Sequence, residues 1–490
     1  MPSRLLTNTS WNLAGQLLPL LVGIAVLPLL IRTMGLDRYG FLTLVWVLVG
    51  YAGVFDFGIG RALIRVVAQR LSLGDAAGAR HVAHVGLTYL GIFGLAAAAL
   101  CALLGDWAVA EWFKLPPELV PEARFAMWLL AASLPFVMLT AGFVSVLSAH
   151  QQFRGMNIAR ALMGVATYLG PLFVALWINR LDAVVGFVLL MRIAAAAVHA
   201  ALTRRGCGFA FRPALPDRET TRELFAIGGW VSLSNIISPL LTYLDRLLLS
   251  ALVPIRMVAY YAAPFDLTSK AMILPYALIA AQFPDAAGVA PNSEAAQRML
   301  RQSIRLLFVM IFPLVFAIVA LAWPGLSLWL GADFAANAAL PLQLLALGVL
   351  LNALAQAPAM LIQAAGRPRV MALLHLAELP LFAALLYAMT QAWGIVGTAA
   401  AAALRNGLDA IAVMWLARRE MASGEFEMAN AVAPGLMAVA LLALALLPRS
   451  LGESLALLVL GCSVFAVYSW RQLLMPHERL RLREWAGLAA

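Results

Sequence analysis

Apolar residues run along this chain in blocks of about twenty, separated by short polar connections. A helix needs roughly 20 such residues to cross a hydrocarbon core of about 30 Å. In lipid the backbone must close its own hydrogen bonds, so each block predicts a spanning helix. The predicted spans are 10–31, 40–60, 82–104, 123–147, 157–178 and 183–202, then 224–249, 258–283, 303–323, 339–362, 370–391 and 394–416, with a final pair at 431–448 and 453–471. The first run is too long for a signal peptide and has no small-residue cleavage site, so it is read as a retained helix.

The pattern repeats at a period of roughly 215 to 220 residues. Trp11 is followed by Pro19, and Trp230 by Pro239. Tyr39 opens the second helix of one half and Tyr260–Tyr261 that of the other. Val184-Val185-Gly186 matches Ile395-Val396-Gly397, and the sixth helices end at Arg204-Arg205 and Arg418-Arg419. Six is an even number, so both halves start on the same side and the repeats are parallel. The fold expected is an all-α polytopic membrane protein of about 14 transmembrane helices, two parallel six-helix bundles plus a C-terminal helix pair. Its divisions are a bundle over 1–202, a linker at 203–223, a second bundle over 224–416, a loop at 417–430, the helix pair over 431–471 and a tail from 472.

Composition agrees: 63% of residues are hydrophobic and 12% charged, about half the charged share of a soluble domain. The net charge of +10 does not mark a nucleic-acid binder, because the basic residues stand singly or in pairs between apolar runs. They mark orientation instead. With the N-terminus cytoplasmic, roughly 23 Lys and Arg fall in inside segments and roughly 8 outside, so both termini are expected in the cytoplasm. Cys101, Cys207 and Cys462 lie too far apart in sequence to suggest a disulfide framework or a zinc spacing.

Ionisable groups inside the spans each need a reason, since a central charge costs about 2.5–3.5 kcal/mol on insertion scales. Arg192 and Arg405 lie twelve and thirteen residues before the paired arginines, at equivalent places in the repeat. One guanidinium per bundle would make a central cleft electropositive and hold phosphate in bidentate fashion. The alternatives are a local pair of Arg405 with Asp409 and, for Arg192, snorkelling or carbonyl bonding. Lys270 follows Asp266 by four residues, so a self-neutralising pair stands beside a role in the cleft or in gating. Asp56, Asp245, Asp266, Glu378 and Asp409 are the gating or coupling candidates. Asp56 has Arg61 nearby, Asp245 and Arg246 close the seventh helix at the outer face as a gating contact or an interfacial pair, and Glu378 sits one turn from His375. Asn12, Gln16, Asn235, Gln343, Asn352 and Gln356 read as interhelical hydrogen bonding. No phosphate-cradling P-loop is present, and His81 and His84 have ligand-like spacing without a third ligand, so neither nucleotide hydrolysis nor a metal centre is expected.

Trp11-Asn12, Met34-Gly35 through Tyr39-Gly40, Asp56-Phe57-Gly58 with Ala62 and Arg65, then Trp230, Asn235, Asp245-Arg246, Tyr260 and Gly366-Arg367 stand in an order that resembles the polysaccharide-transporter group of oligosaccharide flippases. That group belongs to the multidrug/oligosaccharidyl-lipid/polysaccharide exporter (MOP) superfamily. The likeness covers essentially the whole chain, with a departure at Ala259, where a glycine is common. It implies a non-enzymatic flippase of the bacterial inner membrane. Its substrate would be an undecaprenyl-pyrophosphate-linked oligosaccharide for O-antigen, capsule or exopolysaccharide assembly. It also implies alternating access, no bound cofactor, coupling to H+ or Na+ in some members, and a polymerase and chain-length regulator as partners. The rival readings are a peptidoglycan-precursor flippase or a cation-coupled drug exporter of the same superfamily, and a membrane glycosyltransferase or polymerase. The first usually carries an Arg-Asp signature in helix one, and the second favours acidic sites in the first bundle. The third needs an acidic catalytic outer loop, which this chain lacks.

Overall fold

In a computed structural model of the chain those apolar runs are mostly α-helical where they are described. The backbone is described for residues 2–291, 293–420, 429–447, 450–475 and 478–479, and side chains for the same residues except 2–17, 227–236, 238, 420 and 429–434. Trp11, Asn12, Gln16, Trp230 and Asn235 therefore lie outside the described side chains. Among the described residues nine helices are long and apolar enough to cross a membrane, and Leu18–Met34 and Gly435–Ala445 are shorter apolar helices.

The chain divides into two compact units, Met1–Ala259 and Tyr260–Ala490. The first holds α1 (Pro2–Met34), α2 (Leu36–Tyr51), α3 (Ile59–Ser72), α4 (Ala76–Trp107), α5 (Val120–Ala149), α6 (Phe153–Trp177), α7 (Leu181–Cys207) and α8 (Arg218–Leu252). Its hub is α5, which packs on α3, α4 and α7, while α1 lies along α6. The seventh apolar run, α8, packs on α2 and α3 and so falls in this first unit. At Gly40 the backbone of α2 passes so close to Ile255 that a Cβ would run into the Ile255 carbonyl.

α9 (Ile255–Ala271) carries the chain into the second unit, followed by α10 (Ile273–Ala287), α11 (Glu294–Ala320), α12 (Ala322–Leu330), α13 (Ala332–Ala364), α14 (Pro368–Glu420), α15 (Ala429–Ala445) and α16 (Leu451–Tyr468). Here α13 is the hub, packed on α10, α11, α12 and α14. It is the fourth span of its half, as α5 is of the other, so the sequence repeat is also a repeat of packing. α15 and α16 lean on α11. Gly461 lets α16 approach the Phe316 ring, and Phe312, Phe316 and Phe465 form the core of that contact, with the rings of Phe312 and Phe465 4.5 Å apart.

Several predicted segments are cut differently in space. The run 40–60 leaves α2 at Tyr51 and reaches α3 through a tight turn over Ala52–Asp56 and the left-handed pair Phe57 and Gly58, and 303–323 passes from α11 to α12 at Leu321. The run 258–283 is broken at Met272 between α9 and α10. Pro275 has no N–H to donate back to Ala271, and it is well placed in the first turn of a new helix. The runs 370–391 and 394–416 are the two arms of α14, joined with no loop at Trp393 and Gly394 (φ 57°, ψ −135°), a backbone state open chiefly to glycine.

Candidate functional site

Arg192 projects from the middle of α7, in the first unit. It lines a pocket of about 20 Å³ with Trp46, Met163, Thr167, Phe187 and Met191. That is space for roughly one water. Among the described residues no carboxylate and no hydrogen-bond acceptor partners this guanidinium. A half-buried, uncompensated cation among rings and methionines is costly to keep, and it leaves five N–H donors for an anion.

Arg405, its counterpart in the repeat, is neutralised. Nη2 lies 3.2 Å from Glu378 Oε2, Nη1 donates to Asn406 Oδ1 at 3.4 Å, and the guanidinium sits over the Phe382 ring at 5.7 Å. The partner comes from the other arm of α14 rather than from Asp409 one turn along. Asp409 Oδ1 faces His375 Nε2 at 3.8 Å. The kink at Trp393–Gly394 folds the two arms together and so brings residues 375, 378, 405 and 409 to one place. One ligating atom each from His375, Glu378 and Asp409 lie within 4.8 Å of one another. Among the described residues Glu378 Oε1, Asp409 Oδ1 and Arg405 Nε are fully buried without a hydrogen-bond partner. Two carboxylates face one guanidinium and a histidine, so with the histidine neutral the cluster is short of one positive charge. A proton or a monovalent cation fits that deficit.

The other candidates take separate places. Lys270 is exposed in the last turn of α9, beside the break at Met272. Asp266 is one turn earlier, and its carbonyl accepts the Ser269 hydroxyl at 3.0 Å. Asp56 Oδ1 accepts the Gly60 N–H at 2.8 Å, which ties the start of α3 to the left-handed turn at Phe57 and Gly58. Asp245 and Arg246 lie more than a turn before the end of α8 and are 2% and 5% exposed, so they are interior rather than at a helix end. Arg246 stands over the Tyr243 ring at 5.2 Å, and Tyr243 packs on Tyr51.

Sequence reasoning missed a polar staple within the first unit. Arg70 at the end of α3 bonds Asp75 at 3.3 Å and Glu223 at 2.9 Å, spanning the polypeptide between α3 and α8. His81 Nε2 meets Asp217 Oδ2 at 2.7 Å. His84 Nδ1 and Thr88 Oγ1 accept the N–H groups of Arg212 and Ala214. The two histidines thus fasten the 208–217 segment to α4. Asp217, the N-cap of α8, is held well below the usual carboxylate range by the Thr220 N–H and then by His81. The signal was present as Asp217 three residues before Thr220, a helix-start pattern.

Residues 5–286 match the family described as polysaccharide biosynthesis protein. A Shigella flexneri protein provisionally named an O-antigen transporter is 31% identical over 422 residues, 85% of this chain and 98% of that protein. The uncharacterized membrane protein EpsK of Bacillus subtilis is 24% identical over 72% of this chain and 70% of its own length. Among solved structures, the inward closed conformation of the lipid II flippase MurJ superposes with a TM-score of 0.72 at 13% identity, over 95% of this chain and 98% of that one. The inward-facing conformation of a multidrug resistance MATE transporter of the MOP superfamily gives 0.66 at 17% identity, over 84% and 94%. These two likenesses concern the fold.

Proposed function

The chain belongs to the polysaccharide biosynthesis protein family, and we propose that it is a flippase for a polyprenyl (undecaprenyl) pyrophosphate-linked oligosaccharide, carried from the inner to the outer leaflet of a bacterial cytoplasmic membrane. The name of the Shigella flexneri relative supports the substrate class. The observation that carries the reading is the guanidinium of Arg192 in the first unit, which no carboxylate compensates among the described residues. A pyrophosphate brings the negative charge and the acceptor oxygens that this planar fork lacks.

Both termini are cytoplasmic, the side selected by the excess of Lys and Arg. The units alternate access to the two leaflets, with the proline-broken stretch around Met272 and Pro275 absorbing the change. Coupling to H+ or Na+ runs through Glu378, Asp409 and His375, because one added positive charge neutralises that cluster. Lys270, exposed at the end of α9, adds a second cation to the substrate path. A polymerase and a chain-length regulator act downstream on the exported unit.

Deleting the gene tests this: lipid-linked oligosaccharide accumulates on the inner leaflet and surface glycan is lost. Normal surface glycan in a strain without a second flippase refutes it.

A further inference from the structure

The first unit contains a cavity of about 310 Å³ that the Arg192 pocket does not touch. Its walls are almost wholly apolar: Leu48, Tyr51 and Phe55 from the α2 side, Ala97 to Ala108 along α4, Leu130 and Leu134 from α5, and Leu247 from α8. From Ala97 to Ala108 it follows about 16 Å of α4, so its mean section is about 20 Å², room for one hydrocarbon chain at carbon contact distances of about 4 Å. The mouth opens to the exterior through Leu100, Leu104 and Trp107, which are 44%, 50% and 51% exposed.

The end of the cavity is shaped by a π-type turn over Ala108–Trp112, closed by the Phe113 N–H on the Ala108 carbonyl at 2.7 Å. The extra residue places Trp107 and Trp112 side by side, ring centroids 5.6 Å apart, and Trp112 Nε1 donates to the Leu247 carbonyl. Indoles in this position mark the headgroup level of a bilayer, so the channel runs from that level inward. At the inner wall Tyr51 touches Tyr243, over which the buried Arg246 sits.

We infer that this cavity is a binding site for the hydrocarbon tail of the transported lipid, taking one polyprenyl chain lengthwise. The inference rests on the proposed function for the identity of the tail. Aqueous solutes are excluded by the walls, and a headgroup would meet no charged partner there. Five aromatic side chains line the channel, offering ring faces to the flat, methyl-branched alkene units of a polyprenyl chain.

The test is photo-cross-linking of the full chain in phospholipid bilayers with a diazirine-tipped polyprenyl phosphate. Cross-links are expected within residues 97–112 and 127–134, competed by unlabelled undecaprenyl phosphate and not by an equal fraction of phosphatidic acid. Cys101→Trp, which fills the channel from α4, lowers their yield several-fold, as does Leu134→Trp from the opposite wall. No cross-link in those stretches, or equal competition by phosphatidic acid, overturns the assignment. The probe carries no sugar and needs no transport: capture without an export phenotype would sink the flippase reading alone, and an export phenotype without capture would sink the tail site alone.

Discussion

Arg405 and Glu378 form a buried ion pair across the kink of α14, Nη2 to Oε2 at 3.2 Å, and Asp409 lies beside it without sharing the guanidinium. Arg405→Ala would leave two buried carboxylates facing each other, a loss on the order of 3–5 kcal/mol for a broken buried pair. A large drop in melting temperature in detergent is expected. Adding Glu378→Gln should recover much of it, because the surplus charge goes with it. Additive effects of the two substitutions would show that the pair does not act as a unit.

Arg192→Ala should behave in the opposite way. No pair is broken among the described residues, so the melting temperature should stay the same or rise, while export fails. Arg192→Lys keeps the charge but loses the two-pronged fork, and partial export is the expected result. Full export by the alanine variant removes Arg192 from the substrate path.

The helical blocks, the repeat and the family were legible in the sequence because apolar length is set by bilayer thickness, which leaves a strong one-dimensional trace. The site was legible only in part. Arg192 and Arg405 look alike in sequence, yet one has a carboxylate beside it and the other has none among the described residues. What separates them is the Trp393–Gly394 turn, which brings Glu378 across to Arg405, and no spacing rule encodes a contact between residues 27 apart. The break at Met272 was foreshadowed by Pro275, but prolines are common in membrane helices and many only bend them. The staple of Arg70, Asp75 and Glu223 joins residues 153 apart and had no local signature.

That staple gives a pH dependence. Asp217 is depressed by the Thr220 N–H and then by His81, and Asp75 by the Gly78 N–H and then by Arg70. A depressed folded value means stability that is present above the unfolded pKa of about 4 and lost as pH falls through the folded one. The wild type should therefore be more stable than Asp217→Asn at neutral pH, with the gap closing progressively below about pH 4. Thermal melts across pH 3 to 7 check this, and a gap that widens in acid contradicts it.

Gly394 adopts φ 57° and ψ −135° between the arms of α14. Gly394→Ala should cost about 1–3 kcal/mol through backbone strain. Gly407→Ala is the control: it sits in regular helix with ordinary contact to Leu351, and it should be neutral or mildly stabilising. Equal melting of the two variants would show that the kink does not need glycine.

The central claim is that this chain moves a pyrophosphate-linked glycolipid across a bilayer and holds its headgroup with Arg192. Purified protein in sealed vesicles, loaded with a fluorescent polyprenyl-pyrophosphate oligosaccharide and assayed by quenching of the outer leaflet, measures that movement alone. The account predicts exchange between leaflets with the wild type and near-baseline exchange with Arg192→Ala at equal protein content. Baseline exchange with the wild type, or equal exchange by both, would contradict it.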